Sequence, residues 1–188
     1  MDYSKYFWQG DKVRLRPLRP EDAEECYEQS LDSPTRQSLQ LGIELPTSVE
    51  AQRRFLEKYA DCKEVDGITI FGIEDLEGNW VGGLSIHSCK QESGTFSMGM
   101  NTYAGYRRRG YAEDAARIVM RYCFHERRYQ KCNSGCIEGN EASIGLHRKL
   151  GFVEEGRCRR NFFMNGRYYD DVLFGLTREE FDEQEEQR

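Results

Sequence analysis

What this sequence lacks narrows it first. No apolar run approaches the roughly 20 residues needed to cross a bilayer, so no membrane-spanning segment is expected. The opening stretch, MDYSKYFWQGDKVRLRPL, has neither the apolar core nor the small-residue cleavage site of a signal peptide, which makes a cytoplasmic location the expectation. There is no cationic excess: 27 lysines and arginines face 33 aspartates and glutamates, for a formal net charge of -6. A nucleic-acid-binding surface is therefore not expected, whereas an acidic balance suits a cationic acceptor such as an amine. Nor is there an even, regularly spaced set of cysteines. The seven (Cys26, Cys62, Cys89, Cys123, Cys132, Cys136 and Cys158) are scattered and read as free thiols. Cys132 and Cys136 lie four apart, but no second pair with zinc-site spacing follows, so no metal site is expected.

What is present fits one domain. The 188 residues suffice for a sizeable core, read here as about 12–177 with a charged C-terminal tail at 178–188. Lys12 to Leu18 reads as a first strand, and Pro20 with two acids opens a helix running to about Ser30. A polar stretch with Pro34, Gly42 and Pro46 reads as loop or broken helix, after which Ser48 can cap a helix from Val49 to about Cys62. Ile68 to Glu74, Trp80 to His87 and Thr95 to Thr102 are β-rich segments separated by turns. From Gly110 to about Glu126 the apolar residues Ala112, Ala115, Ala116, Val119, Met120 and Cys123 share one helical face, leaving Glu113, Arg117 and Arg121 off it. Lys131 to Ile137 is a strand, and Asn140 can cap a helix from Glu141 to Leu150 that Gly151 stops. Phe152 to Phe163 and Tyr168 to Leu176 flank Asn165-Gly166, a hairpin signal, and Thr177 to Glu180 has a capping-box pattern. The fold class is mixed α/β. The helix between the Thr95 and Lys131 strands makes a crossover, so those two strands should run parallel.

The chemistry-bearing feature is Tyr106-Arg107-Arg108-Arg109-Gly110-Tyr111-Ala112, placed between a strand and the best helix. A helix N-terminus offers unpaired N–H groups and partial positive charge to a phosphate. Gly110 lets backbone approach the anion, and the three arginines add charge. The Gly-Lys-Ser/Thr ending of a Walker loop is absent, and so are the three glycines of the dinucleotide fingerprint. Taken alone, the loop reads equally well as a solvated turn. About thirty residues later come Asn140-Glu141-Ala142-Ser143 and then Lys149-Leu150-Gly151-Phe152.

The pattern Arg-x-x-Gly-x-Ala, then Asn-x-x-Ser and Lys-Leu-Gly-Phe, resembles the GNAT superfamily of N-acetyltransferases. The resemblance extends to Val13-Arg14-Leu15-Arg16-Pro17-Leu18 with Glu21-Asp22-Ala23, and to Phe163-Met164-Asn165-Gly166-Arg167-Tyr168-Tyr169-Asp170. The last segment is similar to the branch containing ribosomal-protein N-terminal and spermidine acetyltransferases. The resemblance implies a single-domain, mostly antiparallel sheet whose parallel strands four and five splay around a coenzyme A cleft. It implies acetyl-CoA as acyl donor and direct transfer to a primary amine: a protein or peptide N-terminus, a polyamine or another small amine. Relatives are often dimers, so a homodimer is one expectation, but the sequence does not fix the oligomeric state. The backbone of Met100 and Thr102 would contact the pantetheine arm. The N–H groups of Arg107, Arg108, Arg109, Gly110, Tyr111 and Ala112 would hold the pyrophosphate, and Asn140 and Ser143 would form the far wall.

The catalytic positions depart from the family pattern. Where many members carry a Tyr general acid, four residues before the Gly of Gly-Phe, this chain has His147; where some carry a Glu base, it has Ser97. His147 is the candidate acid. His87 and Glu138 are candidate bases, with a water-mediated path as an alternative. Asp170 and Asp171 on the last hairpin could attract a cationic amine. Tyr103, Tyr106 and Tyr111 could cover a ligand or simply pack. The acceptor segment, by resemblance, is about Ser33 to Asp66. Two readings compete with an active enzyme: a non-catalytic acyl-CoA-binding module of the same fold, and a phosphate-binding protein of another fold.

Overall fold

The computed structural model describes residues 2–39 and 42–188; Met1 of the expected domain and residues 40 and 41 of the expected acceptor segment lie outside the described residues. Among the described residues, seven strands make one sheet in the order β1 (Val13–Arg16), β2 (Thr69–Asp75), β3 (Trp80–Lys90), β4 (Thr95–Thr102), β5 (Lys131–Ile137), β7 (Arg167–Thr177) and β6 (Val153–Met164). Short turns join β2 to β3, β3 to β4 and β6 to β7, and those pairs are antiparallel. The turn between β6 and β7 sits at Asn165 and Gly166, both with positive φ (51° and 78°), as a tight hairpin requires. β4 and β5 run parallel because a helix returns the chain between them.

The helices are α1 (Ala23–Ser30), α2 (Ser33–Ser38), α3 (Val49–Lys58), α4 (Tyr111–Arg121), α5 (Glu141–Lys149) and α6 (Arg178–Glu186). Ser48 caps α3 by accepting from the Ala51 N–H at 3.2 Å, and Thr177 and Glu180 close a capping box on α6. On one face of the sheet α4 and α5 bury the main core, including Phe71, Leu84, Phe96, Met98, Val119, Phe124 and Phe174. A smaller core, with Leu18, Leu56, Tyr59, Trp80 and Tyr103, lies under α1 and α3. All seven cysteines are free thiols, and Cys132 and Cys136 share a buried face of β5.

Three segments depart from the sequence expectations. The stretch around Pro34 forms α2, because Asp32 accepts from the Thr35 N–H at 3.1 Å and Pro34 falls in the first turn, where its missing donor costs nothing. The long helix does not run unbroken to Glu126. After Arg121 it widens into one π turn, Tyr122–Glu126, which turns both Cys123 and Phe124 inward. The charged end is not a free tail. It is α6, and Phe181 on it is fully buried, its ring centroid 5.3 Å from that of Phe124.

α6 also buries the side of α4 that the sequence marks as polar. Arg117 is only 6% exposed, and its guanidinium donates to Glu185 at 2.6 Å. One turn earlier Asp114 accepts from the backbone N–H groups of Lys12 (2.8 Å) and Val13 (3.0 Å), tying the start of β1 to α4. Each of these N–H groups loses its partner in Asp114→Ala. A buried donor left unsatisfied costs about 1–3 kcal/mol, so the variant, with two, should lose about 2–6 kcal/mol. Urea unfolding checks this as a lowered midpoint at an unchanged m-value.

Candidate active site

The sheet opens in the middle. β4 and β5 pair only over Thr95–Lys131, Phe96–Cys132 and Ser97–Asn133, although β4 continues to Thr102 and β5 to Ile137. Beyond that last rung β5 stays paired to β7, so the two halves of the sheet diverge as a V. The antiparallel alternation decides which backbone groups face the gap. Tyr103 donates to the Val81 carbonyl at 2.9 Å, and the odd-numbered residues of β4 repeat that pairing toward β3. Met98, Met100 and Thr102 therefore turn their N–H and C=O groups toward β5; the Met98 N–H closes the last rung, and the groups beyond it face the V, where the Thr102 carbonyl accepts from Arg107. The expected Met100 and Thr102 contacts thus lie along an internal edge of the sheet where an added strand could pair.

The arginine-rich loop caps the mouth of this gap. A short 3₁₀ turn, Ala104–Tyr106, follows β4, and α4 begins at Tyr111 with Gly110 as its N-cap. Arg108 and Gly110 both have positive φ (62° and 85°), which folds the loop back so that the first N–H groups of α4 point outward. Arg107, Arg108 and Arg109 are exposed, while Gly110, Tyr111 and Ala112 are half-buried. Arg107 donates to the Thr102 carbonyl (3.2 Å) and to Thr35 (2.6 Å), and Arg109 donates to the Gly105 carbonyl (3.2 Å). Lys12 reaches across from β1 to the Arg109 carbonyl at 3.0 Å. It adds a fourth cation beside Gly110. Sequence reasoning missed it because the two residues are far apart along the chain.

The other wall starts at α5. Asn140 accepts from the Ser143 N–H at 3.1 Å, confirming the cap, and its own amide donates to the Ser38 carbonyl at 3.0 Å. The short helix α2 therefore touches both walls, through Thr35 on Arg107 and through Ser38 on Asn140. Its Gln37 also bonds Asn165 on the β6–β7 turn at 3.1 Å.

His147 lies inside this wall, only 8% exposed. Its ring stacks on Phe174, with centroids 4.5 Å apart and an angle of 10°, and meets Phe152 edge-on. Nδ1 is 2.8 Å from the Ser143 carbonyl and Nε2 is 2.8 Å from Ser134 Oγ. Both nitrogens are engaged, so at rest the ring has no free N–H with which to act directly as an acid. Burial holds its pKa below the ordinary value, with the bond to the Ser143 carbonyl opposing in part. Burial lowers His87 likewise. An unfolded histidine titrates near 6.5, so below that pH the unfolded chain binds more protons than the folded one, and stability falls as pH falls. A urea midpoint that drops from pH 7 to pH 5, and drops less in His147→Phe, is the expected result.

The other candidates are dispersed. His87 is half-buried on the opposite face of the sheet, its Nε2 3.7 Å from where a Cβ on Gly99 would stand. Glu138 is exposed past the end of β5, and its carboxylate accepts from the Asp170 N–H at 3.2 Å. Asp170 in turn accepts from the Arg160 N–H at 2.9 Å. Asp171 has one buried carboxylate oxygen, Oδ1, with no hydrogen-bond partner among the described residues; burial raises its pKa, against a bond from Asn161. Tyr103 is core, edge-on to Trp80, while Tyr106 and Tyr111 are half-buried against the cores.

The matches to known proteins agree with this geometry. Residues 12–153 match the acetyltransferase (GNAT) domain. An SPbeta prophage-derived uncharacterized N-acetyltransferase of Bacillus subtilis is 34% identical, over 94% of this chain and 96% of its own length. Among solved structures, a GNAT-family acetyltransferase from Bacillus anthracis superposes with a TM-score of 0.77 at 22% identity, covering 91% of this chain and 98% of that one. A Vibrio cholerae spermidine N-acetyltransferase in complex with CoA and spermine has a TM-score of 0.77 at 19% identity, covering 90% of this chain and 97% of that one. The splayed β4–β5 pair, the glycine-capped α4 and the domain match lead to one conclusion: this chain is an acyltransferase enzyme that belongs to the GNAT family of N-acetyltransferases.

Proposed function

We propose that the enzyme transfers an acetyl group from acetyl-CoA directly to a primary amine, with the β4–β5 gap as the donor site. The observation that carries this reading is the gap itself. It has an open backbone edge from the Met98 carbonyl through Met100 to the Thr102 N–H, and a helix N-terminus ringed by Arg107, Arg108, Arg109 and Lys12 at its mouth. Such an edge suits the amide groups of a pantetheine arm, and such a mouth suits a pyrophosphate. Asn140 and Ser143 stand at the far wall. The acceptor enters between α2 and the β6–β7 hairpin, where the unpartnered Asp171 oxygen favours a cationic amine such as a polyamine or a peptide N-terminus. The spermine held by the Vibrio cholerae relative belongs to the same class of acceptor.

The chain's residues divide the work. Backbone N–H groups of β4 are placed to stabilise negative charge developing on the thioester oxygen. α2 bridges the two walls, through Thr35 to Arg107 and through Ser38 to Asn140. Release of free thiol from acetyl-CoA against a panel of amines, peptides and polyamines tests the reading. Turnover with at least one cationic amine is expected. Silence across the whole panel, with the cofactor still bound, would overturn it.

A further inference from the structure

The sequence left two catalytic places empty, with no Tyr acid and no strand-four Glu base. The structure supplies a pair that can fill both. Ser143, His147 and Ser134 form one hydrogen-bonded row from α5 to β5, with both links at 2.8 Å. A carbonyl only accepts, so Nδ1 carries the ring proton; this tautomer is assigned from its partners. Nε2 then holds a lone pair, and the Ser134 hydroxyl donates to it. The ring cannot swing away, because Phe174 stacks on one side and Phe152 abuts it edge-on. No group bonded to or stacked on the ring is charged: Ser134 from β5, Ser143 from its own helix, Phe152 from the turn after it and Phe174 from β7.

The position of Ser134 matters as much as its bond. Asn133 makes the last rung of the β4–β5 ladder, so Ser134 is the first residue of β5 at the apex of the V. It is half-buried, and its oxygen has no partner among the described residues except His147. A half-buried hydroxyl beside the last rung that gives its proton to an imidazole keeps lone pairs with which to receive a proton from something bound in the gap.

We propose that Ser134 is the residue that passes the proton between the reacting atoms and His147, on the reading that the gap holds acetyl-CoA. As the neutral amine nitrogen bonds to the acetyl carbon, it gives a proton to Ser134 Oγ while Ser134's own proton moves to His147 Nε2. The carbon–sulfur bond then breaks. The imidazolium returns its proton through Ser134 to the departing sulfur. One N–C bond has formed, one C–S bond has broken, and one proton has moved from nitrogen to sulfur. Ser134 and His147 end as they began. A ring kept neutral by burial is ready for the first half of this cycle, and its charged form is readily discharged in the second. One relay thus serves as base and then as acid.

Ser134→Ala, Ser134→Thr and His147→Phe test the relay, with kcat for thiol release and Kd for CoA measured on each. General acid–base groups contribute about 10²–10⁴-fold, so Ser134→Ala should lower kcat by about 100-fold or more while CoA affinity stays within about twofold. Ser134→Thr, which keeps the hydroxyl, should recover most of the rate. The double variant Ser134→Ala/His147→Phe should be no slower than His147→Phe alone, because the two residues act as a unit. Full kcat in an otherwise intact Ser134→Ala would remove the relay and leave the acetyl-transfer reading standing. Equal losses in the Ala and Thr variants would also remove it, since packing alone would then explain both. A wild-type chain that releases no thiol with any amine would sink the acetyl-transfer reading itself, and the relay with it.

Discussion

Phe181→Ala should destabilise the domain by about 3–5 kcal/mol, the range for removing a buried aromatic ring from a packed core. Phe181 has no exposed surface, and it packs against Phe124 from the π turn and beside His125. Its loss leaves a cavity between α6 and that turn, and it loosens the whole C-terminal helix. That helix matters beyond its own residues. Glu185 accepts from the buried Arg117 guanidinium at 2.6 Å, and Asp182 bonds His125 at 2.7 Å. An α6 that lifts away uncovers Arg117 and leaves it only the Glu113 carboxylate, 3.7 Å away on α4, the helix that begins at the β4–β5 gap. Thermal unfolding with CoA present and absent separates the two effects. A melting temperature lowered by no more than a surface substitution would lower it, with CoA binding unchanged, would mean that α6 is peripheral.

Gly110→Val should weaken CoA binding by about 10–100-fold, equivalent to about 1.4–2.8 kcal/mol. Two physical effects act together. The native φ of 85° lies in the left-handed region, which a β-branched residue enters only at a cost of about 1–3 kcal/mol. A Cβ there would also stand 2.7 Å from Lys12 Nζ. The lysine is flexible and can move, but moving it withdraws a cation from the mouth of the gap. The backbone strain is harder to relieve. Relaxing φ swings the Arg107–Arg109 loop away and re-aims the first N–H groups of α4. Calorimetric titration of CoA reads the effect directly. Gly110→Ala should lie between wild type and Val, because alanine tolerates the left-handed region better than a β-branched residue. Unchanged affinity in the Val variant would mean that the loop does not hold the pyrophosphate.

Local signals in the chain carried much of the fold. The positions of β4 and β5, the Asn140 cap and the Asn165-Gly166 turn depend on neighbours a few residues away, where side-chain periodicity and cap chemistry act. The parallel pairing of β4 and β5 followed too, since a helix between two strands leaves little choice. The loop from Arg107 to Ala112 was legible for the same reason: a glycine, charge and a helix start lie in one short stretch.

The rest needed distant segments to meet. α6 looked like a solvated tail because one phenylalanine among acids carries no periodic signal, yet that single ring meets Phe124 across the fold. Arg117 looked exposed until α6 covered it. Lys12 could not be assigned to the loop, nor Thr35 to Arg107, without the fold that joins them. The candidate catalytic groups show this most clearly. The sequence singled out His147 by its place in a motif, and determined with it that a titratable ring sits four residues before Gly151. Only tertiary structure decided what that ring can do. It packed the ring on Phe174 and left one nitrogen on the Ser143 carbonyl and the other on Ser134, a serine with no local pattern to mark it. Residue type and spacing set which elements form and where the candidate phosphate loop lies. The route of a proton depends on distances of a few ångströms between side chains on different elements, and those exist only after the elements pack.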